Sequence, residues 1–268
     1  MDHGLAYAAN CSLLFTEVPL LQRPAAAAAA GFSAVEFWWP WPDQPSPEGH
    51  QVDRFVDAVR DAGVQLIGLN FFAGDLAGPD AGVVSLPRRK DEFRDNIDVV
   101  VAIGHALRVP AFNALYGVRV DDATPEQQDE TATENLTLAA DAVAQIGGMV
   151  LVEPVSGPKP YPLRTAQDVV GVLDRLEVPN VAFLCDLFHL ANNGDDLDAV
   201  VDRYADRVGH VQIADHPGRH EPGTGTLDLE HHLSRLEQAG YRGRVALEYV
   251  PSTSTLDSLG WLPVERRR

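Results

Sequence analysis

The chain has 268 residues, 45% of them hydrophobic, enough to bury the core of one α/β barrel or of two small domains. Its 21 basic and 39 acidic residues leave a formal net charge of -18, a field that repels nucleic acid and anionic membranes. An anionic substrate must therefore be drawn by a local cation or a placed basic side chain.

In chain order, Leu5 to Ala9 is a short apolar run ending at Asn10, and Glu17 to Ala30 reads as a helix closed by Gly31. Ala34 to Phe37 forms a second strand that carries Glu36 into Trp38-Trp39-Pro40-Trp41-Pro42, after which Val52 to Ala62 has helical periodicity and stops at Gly63. Val64 to Leu69 is a third strand ending at Asn70, followed by the loop FFAGDLAGPDAG over 71–82 and a helix from about Lys90 to Leu107. Val109 to Phe112 ends at Asn113. Thr124, with Pro125 next and Gln127 three residues on, predicts an N-cap, a first-turn proline and a capping-box partner for a helix to about Ile146, stopped by Gly147-Gly148.

Met149 to Val152 is the fifth strand and ends on Glu153, with Pro154 blocking further ladder pairing before a helix near Ala166 to Leu176. Val181 to Leu184 is the sixth, with Asp186 at its end and His189 three residues later. Val208 to Ile213, the seventh, delivers Gln212 and Asp215 to its carboxyl end and opens into a polar, glycine-rich loop reaching Gly225. Asp228 to Ala239 is its helix, and Val245 to Leu247 the eighth strand, ending on Glu248. Eight strands alternating with helices over about 250 residues predict a (β/α)₈ TIM barrel, read as one domain over 1–268. An open doubly wound sheet is the weaker reading, because no strand is followed by GxGxxG or GxxxxGK[ST].

Cys11 and Cys185 are far apart and lack CxxC or Cys/His spacing, so neither a disulfide framework nor a zinc cluster is indicated, and a reducing cytoplasm is the simplest home. The first thirty residues lack a basic n-region, and no apolar run approaches the roughly 18 to 20 residues that span a bilayer.

In such a barrel Glu153, Asp186, Gln212 and Glu248 converge on one mouth from strands five to eight. Three buried like charges raise one another's pKa, and a hard divalent cation neutralises them. Oxygen donors alone in this set favour Mg²⁺ or Mn²⁺ over Zn²⁺. Any one of the four, taken singly, is equally read as a strand-end cap for the next helix. His189 adds an imidazole ligand, hydrogen-bonds from behind or toward substrate, or is a satisfied structural histidine. His231 and His232 fall mid-helix, away from strand ends, and His3, His50 and His105 have no evident partner.

The segments NCSLLFTE, GFSAVEFWWP, NFFAGDL, DEFRDNI, LVEPVS, CDLFHL, GHVQIADHPGRHEPGTG and LEYVPSTST together resemble the hydroxypyruvate isomerase family of xylose-isomerase-like barrels, from Ala8 to about Trp261. The resemblance implies a metal-assisted aldose-ketose isomerase acting on a small anionic hydroxy-oxo acid. It places the two catalytic glutamates on Glu153 and Glu248 and the remaining metal positions on Asp186 and Gln212. His189 and Arg219 fall on substrate-side positions, with Asn70 and Asp215 assigned beside them. One departure is Leu69, where many members carry histidine before the strand-end asparagine.

The implied chemistry moves a carbonyl between adjacent carbons of hydroxypyruvate and tartronate semialdehyde through an enediolate. The cation acts as Lewis acid, and Arg219 or His189 binds the carboxylate. Arg219 alternatively braces its loop by pairing with Glu221 or Asp215. Trp38, Trp39 and Trp41 either roof the pocket or pack core, and Pro217 to Gly225 forms either a lid or only turns. A 2-oxo-tetronate isomerase and a ketose 3-epimerase are the nearest rival readings, although the epimerases typically carry histidine at the position of Gln212. Relatives of the apurinic endonucleases are opposed by the charge and the scarce strand-end histidines, and a non-catalytic binding barrel need not keep both glutamates. No nucleic acid or membrane partner is expected, and a homo-oligomer is left open.

Overall fold

In the computed structural model, eight short parallel strands close on themselves in sequence order, with β1 pairing β8 from Tyr7 opposite Val245 to Ala9 opposite Leu247. Residues 3–76 and 78–268 are described; Met1, Asp2 and Ala77, the last within the loop expected over 71–82, lie outside them. The elements are β1 (Tyr7–Asn10), α1 (Arg23–Ala29), β2 (Ala34–Phe37), α2 (Gly49–Ala62), β3 (Gln65–Asn70), α3 (Lys90–Leu107), β4 (Ala111–Asn113) and α4 (Pro125–Ala144). They continue with β5 (Met149–Val152), α5 (Ala166–Leu176), β6 (Val181–Asp186), α6 (Leu187–Asn193), α7 (Leu197–Tyr204), β7 (Val208–Ile213), α8 (Leu229–Gln238), β8 (Val245–Leu247) and α9 (Thr255–Ser258). The (β/α)₈ TIM barrel read from the sequence is therefore the fold. No described helix is long and apolar enough to cross a membrane.

Along β5, Val150 and Val152 belong to the large apolar cluster between sheet and helices, while Leu151 packs in a separate cluster with Ala111 and Leu184. A third cluster joins Ala8 and Ala34 to Ile67 in the same way. Two register shifts, between Val35 and Glu36 and between Phe183 and Leu184, lie just before the acidic strand ends of β2 and β6. Such irregularities re-aim the side chains that follow them.

Helix starts follow local chemistry. Thr124 and Gln127 form the expected capping box, with Gln127 N–H donating to Thr124 Oγ1 at 3.2 Å and Thr124 N–H to Gln127 Oε1 at 2.9 Å. The first helix differs from expectation. It begins at Arg23 rather than Glu17, after a 3₁₀ turn over Leu20–Gln22, because Pro19 and Pro24 lack the N–H that a continuing helix needs. Glu17 instead accepts from the backbone N–H of Thr255 at 2.7 Å and from its hydroxyl at 3.0 Å, tying the first loop to α9. The β6–β7 crossover also holds two helices, α6 and α7, parted by Gly194 at φ 90° and capped afresh by Asp196.

His3, without an evident partner in the sequence, is buried. Its Nδ1 receives Leu5 N–H at 3.2 Å, and its Nε2 lies 3.1 Å from the Tyr7 hydroxyl. Arg266 and Arg267 fold back on the chain, donating to the carbonyls of Leu5, just before β1, and of Ala30, at the end of α1. His231 Nε2 bonds to Asp198 Oδ1 at 3.0 Å and Arg235 Nη1 pairs with the same oxygen at 2.6 Å, bracing α8 against α7, while His232 Nδ1 lies 3.3 Å from it without a hydrogen bond.

The Thr124 cap yields a direct expectation. Thr124→Ala should lower unfolding stability by about 1 kcal/mol, moving the urea midpoint without changing the slope. An unmoved midpoint would mean that Pro125 alone sets the start of α4.

Candidate active site

Eight polar side chains at the carboxyl ends of the strands, Asn10, Glu36, Asn70, Asn113, Glu153, Asp186, Gln212 and Glu248, are each no more than 5% exposed. Four are carboxylates, which water cannot screen here, so each must find donors or a proton inside the protein.

Glu36 finds three donors. Its Oε1 accepts from Asn10 Nδ2 and from Gln212 Nε2, both at 2.8 Å, and its Oε2 lies 2.7 Å from His210 Nε2. Because β2 and β7 are not neighbours in the sheet, the bonds to His210 and Gln212 cross the lumen. A carboxylate only accepts, so Glu36 dictates which way the Gln212 amide faces. The Gln212 carbonyl oxygen is left buried with no hydrogen-bond partner. Asn113 repeats the arrangement: its Nδ2 donates to Glu153 Oε1 at 2.6 Å, and its Oδ1 is buried and unpartnered. Each such acceptor costs on the order of 1–3 kcal/mol unless a donor or cation meets it.

Ligand atoms of Glu153, Asp186 and His189 lie within 4.8 Å of one another. Burial first, and the Asp186 carboxylate second, push the Glu153 carboxyl up to about 8, against the pull of Asn113 and Arg219. Glu248 is raised well above the usual range, again by burial first, with Arg219 opposing and Asp186, Glu153 and Glu36 adding to the shift. Asp186 caps α6, its Oδ1 accepting the His189 N–H at 3.0 Å. The His189 ring accepts the Ser156 N–H on Nδ1 at 3.1 Å, so its proton resides on Nε2, 3.7 Å from Asp186 Oδ2. Burial pushes this imidazole down to about 4, with Asp186 raising and Arg219 lowering it more weakly, so it is neutral at physiological pH.

Glu248 receives Trp38 Nε1–H at 2.5 Å, Arg219 Nη2 at 3.1 Å and, weakly, Asn10 Nδ2 at 3.4 Å. Arg219 also directs Nε to the Glu248 carbonyl at 3.4 Å and lies over the Phe188 ring, 5.4 Å from its centroid. A cavity of about 210 Å³ opens above these groups, lined by Glu153, His189, Arg219 and Glu248 together with Trp38, Asn70, Lys159 and Tyr161. That is smaller than pockets for drug-sized ligands, roughly 300–1,000 Å³, and suits a molecule of a few carbons.

The structure thus brings Glu153, Asp186, Gln212 and Glu248 to one mouth and sets His189, Arg219 and Asn70 around the cavity. Asp215 does not join them. Its Oδ1 accepts from His216 N at 2.9 Å and Leu227 N at 3.1 Å, and its Oδ2 from Gly223 N at 2.8 Å, so the carboxylate is spent on shaping the 216–227 loop. A side chain at Gly225 would meet the His216 carbonyl at 2.4 Å, which fixes glycine at that close approach. Arg219 pairs with neither Glu221 nor Asp215; Glu221 instead accepts from Ser252 N–H at 3.0 Å. Among the tryptophans only Trp38 lines this cavity, whereas Trp39 packs edge-on against Trp41 at 5.1 Å and donates to Gln44 O. Leu69 sits in the main apolar cluster and away from the cavity lining.

Asn10, Glu36, Asn113, His210, Lys159 and Tyr161 were not assigned from the sequence. Glu36 and His210 each interrupt an apolar strand, in AVEF and VGHVQI, and that interruption was the available signal.

The profile of the xylose isomerase-like TIM barrel family matches residues 24–263. A Streptomyces coelicolor protein provisionally named hydroxypyruvate isomerase is 53% identical over 266 residues, covering 96% of this chain and 95% of its own. A 2-oxo-tetronate isomerase of Pectobacterium atrosepticum is 33% identical over 260 residues, covering 95% of each. The crystal structure of a Brucella melitensis protein described as AP endonuclease, family 2, superposes with a TM-score of 0.87 at 34% identity, over 96% of this chain and 98% of that one.

The raised Glu153 carboxyl has a consequence for stability. An unfolded glutamate titrates near about 4.3, so this group's contribution is complete below that pH and is lost as pH rises through about 8. His189, pushed down to about 4, acts in the opposite sense only below the unfolded histidine value of about 6.5. In chelator, the urea midpoint should therefore fall between about pH 6.5 and 8, and less steeply in Glu153→Gln, where only Glu248 still contributes. Parallel curves for the two proteins would remove Glu153 as a source of the dependence.

Proposed function

The chain belongs to the xylose isomerase-like TIM barrel family and is an isomerase, and on that premise we propose that it interconverts hydroxypyruvate and tartronate semialdehyde with the help of a divalent cation. The observation that carries this reading is the pair of buried glutamates of raised pKa, Glu153 and Glu248, facing one small cavity from β5 and β8.

The donor set fits the cation. Carboxylates of Glu153, Asp186 and Glu248 and the unpartnered carbonyl oxygen of Gln212 make an all-oxygen set suited to Mg²⁺ or Mn²⁺. His189 fits less well as a ligand, because its Nε2 carries the proton and its Nδ1 is taken by Ser156. When bound, the cation supplies Lewis-acid stabilisation of the developing enediolate oxygens.

The protein's own groups account for the proton movements. Isomerisation removes a proton from C3 of hydroxypyruvate, shifting the C–H electron pair into a C2–C3 double bond and the C2 carbonyl pair onto its oxygen; a proton then returns to C2, while the C3 hydroxyl gives its proton to the C2 oxygen and becomes the aldehyde. One glutamate takes the first proton and the other delivers the second; burial, which favours the protonated form of each, suits both to that exchange. Trp38 donates to Glu248 and lines the cavity, so its ring both orients that carboxyl and helps to exclude water. The neutral His189, with Nε2–H toward Asp186 and the cavity, is suited to donate to a substrate oxygen.

Proton NMR in D₂O of Mn²⁺- or Mg²⁺-loaded protein with hydroxypyruvate tests the reading. Solvent deuterium should enter the acid as aldehyde appears. Turnover confined to four-carbon 2-oxo-tetronates would substitute that substrate, and exchange only at C3 of a ketohexose would replace the isomerase by an epimerase. Glu153→Gln and Glu248→Gln should each lose about 10²- to 10⁴-fold in kcat with the fold intact.

The cation proposal has its own readout. Calorimetric titration should find one Mn²⁺ per chain, and Glu36→Gln, which loosens the hold on the Gln212 amide, should weaken that binding by about 10- to 100-fold. Unaltered affinity would mean that Gln212 keeps its orientation without Glu36, or is no ligand.

A further inference from the structure

We infer that Lys159 binds the substrate carboxylate, an assignment that rests on the isomerase reading and names the residue giving it selectivity for an acid. A carboxylate entering this cavity meets Glu153 and Glu248 in the walls, with Asp186 beside them, in a protein of net charge -18. Entry requires a cationic contact whose charge is not already matched. Two basic side chains line the cavity, Arg219 and Lys159.

Arg219 is already matched. Its Nη2 holds Glu248 Oε2 at 3.1 Å, its Nε points to the carbonyl of the same residue, and its plane is occupied by Phe188. A substrate carboxylate placed there competes with Glu248, one of the two groups proposed to move protons.

Lys159 is not matched. Its Nζ donates to the carbonyl oxygen of Leu76 at 2.9 Å and to that of Asp80, both uncharged acceptors. An ammonium has three donors, so one remains, and no described carboxylate forms an ion pair with it. The nearby Asp80 carboxylate is directed to Arg89 instead. The two carbonyls fix where the ammonium sits, and Pro158 and Pro160 on either side restrict the backbone that carries it. Leu76 lines the same cavity, so the lysine spans from the β5 loop to the β3 loop across its rim. The result is a held cation with an open donor beside a small cavity, which is the chemistry that a monocarboxylate of three or four carbons needs.

The test compares wild type, Lys159→Gln and Lys159→Arg as full-length, Mn²⁺-loaded proteins. Glycerate, which has the three-carbon skeleton and carboxylate of the substrate but no carbonyl, serves as the inert probe in calorimetry, with glycerol as its uncharged control. Lys159→Gln should weaken glycerate binding and raise KM for hydroxypyruvate by about 10- to 100-fold, with kcat and Mn²⁺ affinity little changed; Lys159→Arg should recover most of the loss. Unchanged glycerate affinity in Lys159→Gln overturns the inference. So does a loss that accompanies equal loss of Mn²⁺ affinity and is not recovered by arginine, since that marks a lysine that only ties two loops together. A wild type that binds glycerate but leaves hydroxypyruvate unaltered overturns the isomerase reading alone, while the glycerate comparison still decides the lysine.

Discussion

Four carboxylates share the mouth of one barrel away from water, and much of the surrounding structure is explained by how their charge is tolerated. Each is handled differently. Glu36 is met by donors from Asn10, Gln212 and His210, Asp186 caps the start of α6, and Glu248 is paired with Arg219. Glu153 has one amide donor, from Asn113, and a carboxyl displaced toward its protonated form. Burial is the largest cause of the shift at both Glu153 and Glu248, so the apolar walls of the barrel create the unusual acidity.

The amides are the complement of that arrangement. Gln212 and Asn113 each give their N–H₂ to a glutamate, which turns a carbonyl oxygen into the buried interior without a partner. A folded chain rarely leaves such acceptors empty, and an oxygen-rich set of this kind is chemically suited to a hard cation. Glu36 thereby acts at a distance. Its hydrogen-bond partners Asn10, His210 and Gln212 lie outside the cavity lining, yet it fixes the side of Gln212 that the mouth receives.

The loops above the mouth use the same economy of charge. Asp215 holds three backbone N–H groups of the 216–227 loop, which sets Arg219, at φ 60°, against Glu248. Lys159 joins the loops after β5 and β3 through two carbonyls. The cavity is therefore framed by one cation whose charge is matched by a carboxylate and one whose charge is not.

The sequence by itself determined the alternation of strands and helices, the strand ends at Asn10, Asn70, Asn113, Glu153, Asp186 and Glu248, and the cap of α4 at Thr124. These are local properties, carried by periodicity, by glycine stops and by capping chemistry within a few residues. It also offered the resemblance that joined those ends into a site. Tertiary structure decided what depends on closure and register: Glu36 meets His210 and Gln212 from 174 and 176 residues away, through the lumen. It likewise separated Trp38 from Trp39 and Trp41, turned Asp215 from the cavity to its own loop, and moved the start of α1 to Arg23. A one-residue change of register reverses which face a strand side chain occupies, and no local pattern reports which far strand it will meet.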